Sequence, residues 1–293
     1  MDFLRPSTLA DALSIKAQRP DAVPIAGGTD VMVELNFDHR RPAALIDLTG
    51  VAELVEWSTS NGMVRLGAGV PYARVIAELG EKLPALAMAS RTVGSPQIRN
   101  RGTVGGNLGA ASPAGDTHPV LLASGAEVEV ASVRGSRSIP ADDFYVVVKC
   151  NALEPDELIT AVHVPVTAAP QQFAKVGTRN AMVIAVCSFA IALHPERAEI
   201  GAAVGSAAPT PRRAREAEEF LAGELTDKKL WGSRAAISDS VRRRFGELVS
   251  EASSPIDDVR GSAAYRKHAL SVLARRTLTW AWNDYQGSER SCA

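Results

Sequence analysis

The chain has 293 residues, 46% of them hydrophobic, which is enough for one large domain or two smaller ones with real cores. Its 32 Lys and Arg nearly balance its 33 Asp and Glu, and a net charge of -1 gives no global field that would draw it to nucleic acid or an anionic membrane. The three cysteines (Cys150, Cys187, Cys292) form neither a CxxC pair nor a disulfide framework, and the five histidines show no HxxxH or Cys/His spacing, so no metal site is expected.

The N-terminus lacks a basic leader followed by an apolar core, and Arg5 and Pro6 interrupt it early. The longest apolar run, AMVIAVCSFAIAL at residues 181–193, is shorter than the roughly 20 residues a membrane helix needs and reads as a buried strand with Cys187 in the core. The expectation is a soluble, cytoplasmic chain with no membrane span. Local arginine clusters (Arg212, Arg213, Arg215; Arg242, Arg243, Arg244) have acids nearby and read as solvated faces.

Residues 3–48 read as helix, strand, loop, strand. Thr8 is a candidate N-cap with Asp11 three residues on, AVPIAGG is a strand running into a glycine turn, and AALIDL is a second strand. From residue 54 a hairpin is expected around Asn61-Gly62, the pair that best fits a two-residue turn. Residues 72–90 then carry apolar positions at helical spacing (Val75, Ile76, Leu79, Leu83, Leu86). A long glycine-rich stretch follows, and then two strand-like segments, AEVEVAS and ELITAVHVP.

Beyond a proline-containing boundary near residues 166–172, two antiparallel strands meeting at His194-Pro195 are expected. A helix opening at Thr210-Pro211 and ending at Gly223 follows. A second helix is marked by Leu230, Ile237, Val241, Phe245 and Leu248, and a third by Tyr265, Ala269, Val272, Leu273 and Trp280. This is an α+β chain.

Two glycine-rich segments stand out. PIAGGTDVM, residues 24–32, delivers a strand into Gly27-Gly28, where missing side chains let backbone N–H groups approach an anion and Thr29 adds a hydroxyl. Alone, GGTD is more often a plain tight turn. It is not the GxGxxG of a Rossmann unit, and no helix is evident after it. RGTVGGNLGAASPAGD, residues 101–116, is too dense in glycine for a simple turn. Thr103, Asn107 and Ser112 offer hydrogen bonds to phosphate or ribose, and Asp116 can accept from sugar hydroxyls or cap a helix near Thr117. Two glycine-rich loops suit a long two-phosphate cofactor gripped from both sides.

AGGTD, QIRNRGTVGGN and SPAGD together resemble the flavoprotein (medium) subunits of molybdenum hydroxylases, the family of carbon monoxide dehydrogenase and xanthine dehydrogenase. The resemblance continues through LEPDELITAVHVP, FAKVGTRNAMVIAVCS, AAPTPRRA and AAYRKHALSVLARR, so it spans residues 3 to about 278. It implies a two-subdomain, PCMH-type FAD-binding domain at 1–169 (subdomains about 1–53 and 54–169). An α+β C-terminal domain like that of carbon monoxide dehydrogenase flavoprotein would cover 170–286, with a tail at 287–293. By the same resemblance FAD lies between the subdomains. Pro24, Ile25, Ala26, Gly27, Gly28, Thr29, Asp30 and Val31 wrap the pyrophosphate, and Thr103, Val104, Gly105, Gly106 and Asn107 hold the other side. Asp116 takes the ribityl chain, Ile159 packs on the cofactor, and Lys175 lies at the flavin end, where a cation favours an anionic reduced state. Val93 matches a position that contacts the isoalloxazine. Without the resemblance, Lys175 reads as a surface lysine on an edge strand, and Arg179 as a group orienting Lys175 or an acid, or facing solvent.

The resemblance further implies that this chain carries no catalytic side chain. Electrons from a molybdopterin-binding large subunit would arrive through a small subunit with 2Fe-2S clusters and leave through FAD to NAD+, a quinone or another acceptor. Thr29-Asp30, where the carbon monoxide branch tends to carry histidine and serine, points toward purine, heterocycle or aldehyde dehydrogenases. A stand-alone FAD oxidoreductase of the same flavin-domain class, and a flavin-free assembly or binding protein, remain as alternatives.

Overall fold

The computed structural model describes residues 1–287. The expected tail at 287–293 therefore falls almost wholly outside the described residues, as does Cys292.

The first unit consists of β1 (Asp2–Leu4), α1 (Leu9–Gln18), β2 (Val23–Ile25), α2 (Val31–Asn36) and β3 (Ala44–Asp47). β3 lies between β1 and β2, parallel to both. Thr8 caps α1 as expected, its hydroxyl accepting the Asp11 N–H at 3.1 Å. Ala12 on the buried face of α1 packs with Val51, Leu54 and Leu158, joining this unit to the next.

The second unit opens with the hairpin of β4 (Trp57–Ser60) and β5 (Met63–Gly67). Asn61 (φ 49°) and Gly62 (φ 72°) both take the left-handed conformation that a two-residue turn between twisted strands requires. Five short helices follow: α3 (Tyr72–Glu78), α4 (Pro84–Thr92), α5 (Pro96–Arg101), α6 (Val104–Ala110) and α7 (His118–Ser124). The helical pattern over 72–90 is thus two helices. Pro84 opens the second and holds Leu83 outside the helical region (φ -132°, ψ 64°), while Leu79 and Leu83 stay buried at the break. Then come β6 (Glu127–Ser132), β7 (Gly135–Pro140), the single turn α8 (Ala141–Phe144), a small hairpin of β8 (Tyr145–Val147) and β9 (Cys150–Asn151), and β10 (Leu158–Pro165). They complete an antiparallel sheet in the order β4-β5-β10-β6-β7.

The third unit begins with β11 (Gln171–Val176), β12 (Cys187–His194) and β13 (Glu199–Gly205), antiparallel as expected. Residues 181–186 of the apolar run lie outside the strand, and Cys187 is fully buried. Thr210-Pro211 does not begin a helix. Residues Arg212–Arg213 form β14 on the sheet edge, and α9 (Arg215–Asp227) starts after Ala214. Gly223 does not end α9 but sits exposed inside it, because helix-wide packing of Ala217, Leu221 and Leu225 outweighs one glycine's cost of about 1 kcal/mol. The second expected helix divides into α10 (Leu230–Ser233) and α11 (Asp239–Glu251). The third is α12 (Ala263–Gly287), although Tyr265 and Trp280 face solvent while Leu270, Ala274, Leu278 and Trp282 are buried. No described helix is long and apolar enough to cross a membrane.

Helix α7 ties the units together. All seven of its residues are buried, and it packs on β12 and β13 on one side and on α4 and β10 on the other. The contact is so close that a Cβ on Gly201 would lie 1.8 Å from the Ala123 carbonyl oxygen.

Candidate functional site

A cleft of about 580 Å³ runs between the first two units, and the third adds Ile184 to its lining. Its floor is where the two glycine-rich segments meet. A Cβ on Gly27 would stand 1.9 Å from the carbonyl oxygen of Arg101, so the β2–α2 loop rests backbone on backbone against the α5–α6 corner. Gly28 has φ +75°, a conformation that L side chains rarely adopt. No amide from Gly27 to Asp30 donates to a backbone carbonyl among the described residues; the α2 bonds start with Met32 N–H to Gly28 O. Four successive amides are thereby left to a ligand or solvent. That α2 follows at once differs from the sequence reading, which saw no helix there. Six residues, VMVELN, are too few to show a period.

The second glycine-rich segment is a loop only in its latter part, residues 111–116. Gly105, Gly106 and Gly109 lie within α6, and Thr103 is its N-cap, its hydroxyl oxygen accepting the Gly106 N–H at 2.8 Å. Glycine is needed here for close packing: a Cβ on Gly105 would come within 2.5 Å of Ala68. The helix can therefore lie flat on the chain leaving β5 and present its backbone to the cleft. Asn107 accepts the Thr117 hydroxyl on Oδ1 at 2.9 Å.

Of the residues expected from sequence, Pro24, Ala26, Gly27, Gly28, Thr29, Asp30 and Val31 line the cleft from one side, and Thr103, Gly105, Gly106, Asn107 and Ile159 from the other. The remaining four do not line it. The Ile25 side chain packs under Gly28, and Val104 is buried in the core. Asp116 and Lys175 stand behind the wall as an ion pair of 2.6 Å, with side chains only 8% and 10% exposed. Asp116 does not cap α7, whose N-cap is Thr117. Its Oδ2 also accepts the Thr92 hydroxyl at 3.0 Å, while Oδ1 is buried with no partner. Burial pushes the Asp116 carboxyl up from its ordinary value, and the Lys175 ammonium opposes that shift. Lys175 is on the edge strand β11, as a surface lysine would be, yet its side chain is turned inward and only 10% exposed. Arg179 is exposed and donates to the carbonyls of Ala181 and Met182, not to an acid.

Other cleft residues carried no sequence signal. Lys16 reaches the cleft from α1, its ammonium donating to the carbonyls of Pro20 (2.7 Å) and Ala22 (2.8 Å), and burial lowers its pKa. Leu54 and Leu158 line it as well. So do Tyr72, Val93, Ile98 and, from the third unit, Ile184. Only Val93 among these was foreseen, because helical spacing marks such residues as core and not as cleft wall. Among the described residues, no cluster of three or more His, Cys, Asp or Glu could hold a metal ion.

Comparison with known proteins agrees with this arrangement. Residues 1–167 match the FAD binding domain in molybdopterin dehydrogenase, and residues 172–281 match the CO dehydrogenase flavoprotein C-terminal domain. The nicotine 6-hydroxylase medium subunit of Paenarthrobacter nicotinovorans is 32% identical over 95% of this chain and 96% of its own length. The xanthine dehydrogenase FAD-binding subunit of Escherichia coli O157:H7 is 29% identical over 95% of each chain. Among solved structures, reconstituted CO dehydrogenase from Oligotropha carboxidovorans superimposes with a TM-score of 0.89 at 28% identity, covering 97% of this chain and 98% of that one. With its FAD-binding domain and its flavoprotein C-terminal domain in the same order and over nearly the full length, the chain belongs to the FAD-binding medium subunits of the molybdenum hydroxylase family.

Proposed function

We propose that this chain carries FAD in the cleft and serves as the electron-transfer subunit of a multi-subunit molybdenum hydroxylase. It would take electrons from a small 2Fe-2S subunit, fed by a molybdopterin-binding large subunit, and pass them through FAD to a final acceptor such as NAD+ or a quinone. The observation that carries the reading is the meeting of two glycine-rich backbones at the floor of one long cleft. Its size falls in the range of cofactor sites, and its unpaired amides suit a pyrophosphate.

The residues present fit the cofactor, each with a separate task. The amides of Gly27 to Asp30 hold the pyrophosphate, with Thr29 adding a hydroxyl and Pro24, Ala26 and Val31 shaping the walls. Thr103 to Asn107 support the opposite side, and Ile159 packs against the ligand. The family resemblance gives Asp116 the ribityl chain and Lys175 the flavin end, although the two are paired with each other behind the cleft wall and do not line it. Bound flavin supplies one- and two-electron chemistry, so the chain itself needs no nucleophile and no proton-shuttling pair. Its residues bind, orient and tune.

The organic substrate would be oxidised on the large subunit in the cytoplasm. The Thr29-Asp30 pair favours a heterocycle, purine or aldehyde over carbon monoxide. The test is a visible spectrum of the purified chain after FAD is added and the excess removed, with FMN as control. Retention of FAD and not of FMN is expected. No retention of FAD, alone or with co-expressed partner subunits, would overturn the reading, as would oxidation of an organic substrate by the isolated chain.

A further inference from the structure

One ion pair crosses the cleft from wall to wall. The Lys149 ammonium, in the turn between β8 and β9, donates to Oε1 of Glu34 on α2 at 3.2 Å. Both side chains line the cleft, Glu34 from the first unit and Lys149 from the second. The Lys149 and Glu34 side chains are 58% and 30% exposed, which sets the bridge at the solvent side of the cleft and not at its floor. Among the described residues it is the only ion pair or side-chain hydrogen bond that joins residues 1–53 to residues 54–170.

Neither partner stands on a firmly packed element. None of the six residues of α2 is buried, and α2 hangs from the Gly27-Gly28 loop. Strands β8 and β9 pair only with each other, and an isolated two-stranded hairpin is marginal in water. The base of this hairpin is held. Phe144 and Tyr145 are buried, the Ala152 N–H donates to the Phe144 carbonyl at 2.9 Å, and Asn151 Nδ2 donates to the Gly109 carbonyl of α6 at 3.1 Å. Its tip is free of the core, with Val146, Val147 and Val148 each more than half exposed. A fixed base and a free tip, tied across the cleft by one partly exposed ion pair, make a hinged arm with a weak catch.

Resting on the FAD reading above, we propose that the β8–β9 hairpin and α2 form a gate over the cleft, with the Lys149–Glu34 ion pair as its catch. The pair closes over an empty and a filled cleft alike, and it parts for the dinucleotide to enter or leave. Behind it lie the amides of Gly27 to Asp30 that have no backbone partner. Opening is the same step on the way in and on the way out. The catch therefore sets how fast the cofactor exchanges, and leaves the equilibrium affinity to the residues beneath it. An exposed pair holds weakly and is screened by salt, so the gate slows exchange without stopping it.

The test uses the full chain. FAD association is followed by stopped-flow flavin fluorescence and dissociation by rapid dilution of the loaded protein. The double variant Glu34→Gln with Lys149→Met removes the catch without changing the net charge beside the cleft. It is expected to speed association and dissociation alike, about two- to fivefold, with the dissociation constant unchanged. The charge-swapped variant, Glu34→Lys with Lys149→Glu, rebuilds the pair and returns both rates toward those of the wild type. Raising salt from about 0.05 M to about 0.5 M should speed release from the wild type more than from the neutral variant. Wild-type rates in the neutral variant would overturn the proposal, as would a swapped variant that exchanges as fast as the neutral one. A weaker dissociation constant with unchanged association in the neutral variant would mean that one of the two side chains holds the cofactor directly, and would overturn it too. If the wild-type chain retains no FAD, the underlying reading falls first; if the wild type binds and the variants exchange at its rates, only this inference does.

Discussion

A methyl group on Gly27 would sit 1.9 Å from the Arg101 carbonyl oxygen, closer than any real Cβ contact. Backbone on one side or the other must move, and overpacking of this kind typically costs about 1–3 kcal/mol. The displaced backbone is the cleft floor, so Gly27→Ala is expected to weaken FAD binding by about tenfold or more, measured by equilibrium titration. A second residue sets an acid limit. His118 is fully buried, donates or accepts only through Nδ1 to the Tyr145 hydroxyl at 2.8 Å, and burial lowers its pKa to about 3. Below the ordinary histidine value of about 6.5 the unfolded chain takes up a proton that the folded chain refuses, and stability falls at about 1.4 kcal/mol per pH unit until the folded value is reached. Roughly 2 kcal/mol should therefore be lost between about pH 6.5 and about pH 5 through this one group. His118→Gln should remove that share, seen as a smaller drop in the urea midpoint over the same range.

Among the elements, α9 offers a direct check on why one boundary was misread. Gly223 is exposed within the helix, and a Cβ there would meet nothing within 4 Å. Gly223→Ala should therefore raise stability by about 0.5–1 kcal/mol in chemical denaturation, whereas a helix-ending glycine would respond with a loss. Sequence spoke clearly where the signal was local: the Thr8 cap, the Asn61-Gly62 turn and the strands around Cys187 all follow from chemistry within a few residues. It misled where tertiary contact decided. Thr210-Pro211 has the composition of a helix start, yet Arg212 and Arg213 pair with β13, and Arg213 is held by Glu218 at 2.7 Å. The glycines of α6 look like a loop because their reason for being glycine lies across space, at Ala68. The place of the β2–α2 loop on the cleft was legible only through the family resemblance, since a strand running into paired glycines is by itself more often a plain tight turn. The setting of Lys175 was not, since Thr92 and Asp116 come from distant segments and leave no mark in the chain order.

At the scale of the whole molecule, the cleft draws its floor from the first two units and part of its far wall from the third, through Ile184. A ligand held there would bind only the fully assembled chain, so its binding energy adds to folding by mass action. Adding FAD should raise the thermal midpoint progressively with its concentration, and FMN should raise it less.

Helix α7 has a consequence of its own. Seven residues buried against the cores of two units, with Gly201 lodged against the Ala123 carbonyl, leave no seam along which the chain could come apart by halves. Its inner amides have no partial opening that reaches them short of losing both cores at once. Calorimetry of this chain of two family domains should accordingly give one sharp endotherm in place of two, and deuterium should enter the central turn of α7 last of all, at the rate set by complete denaturation.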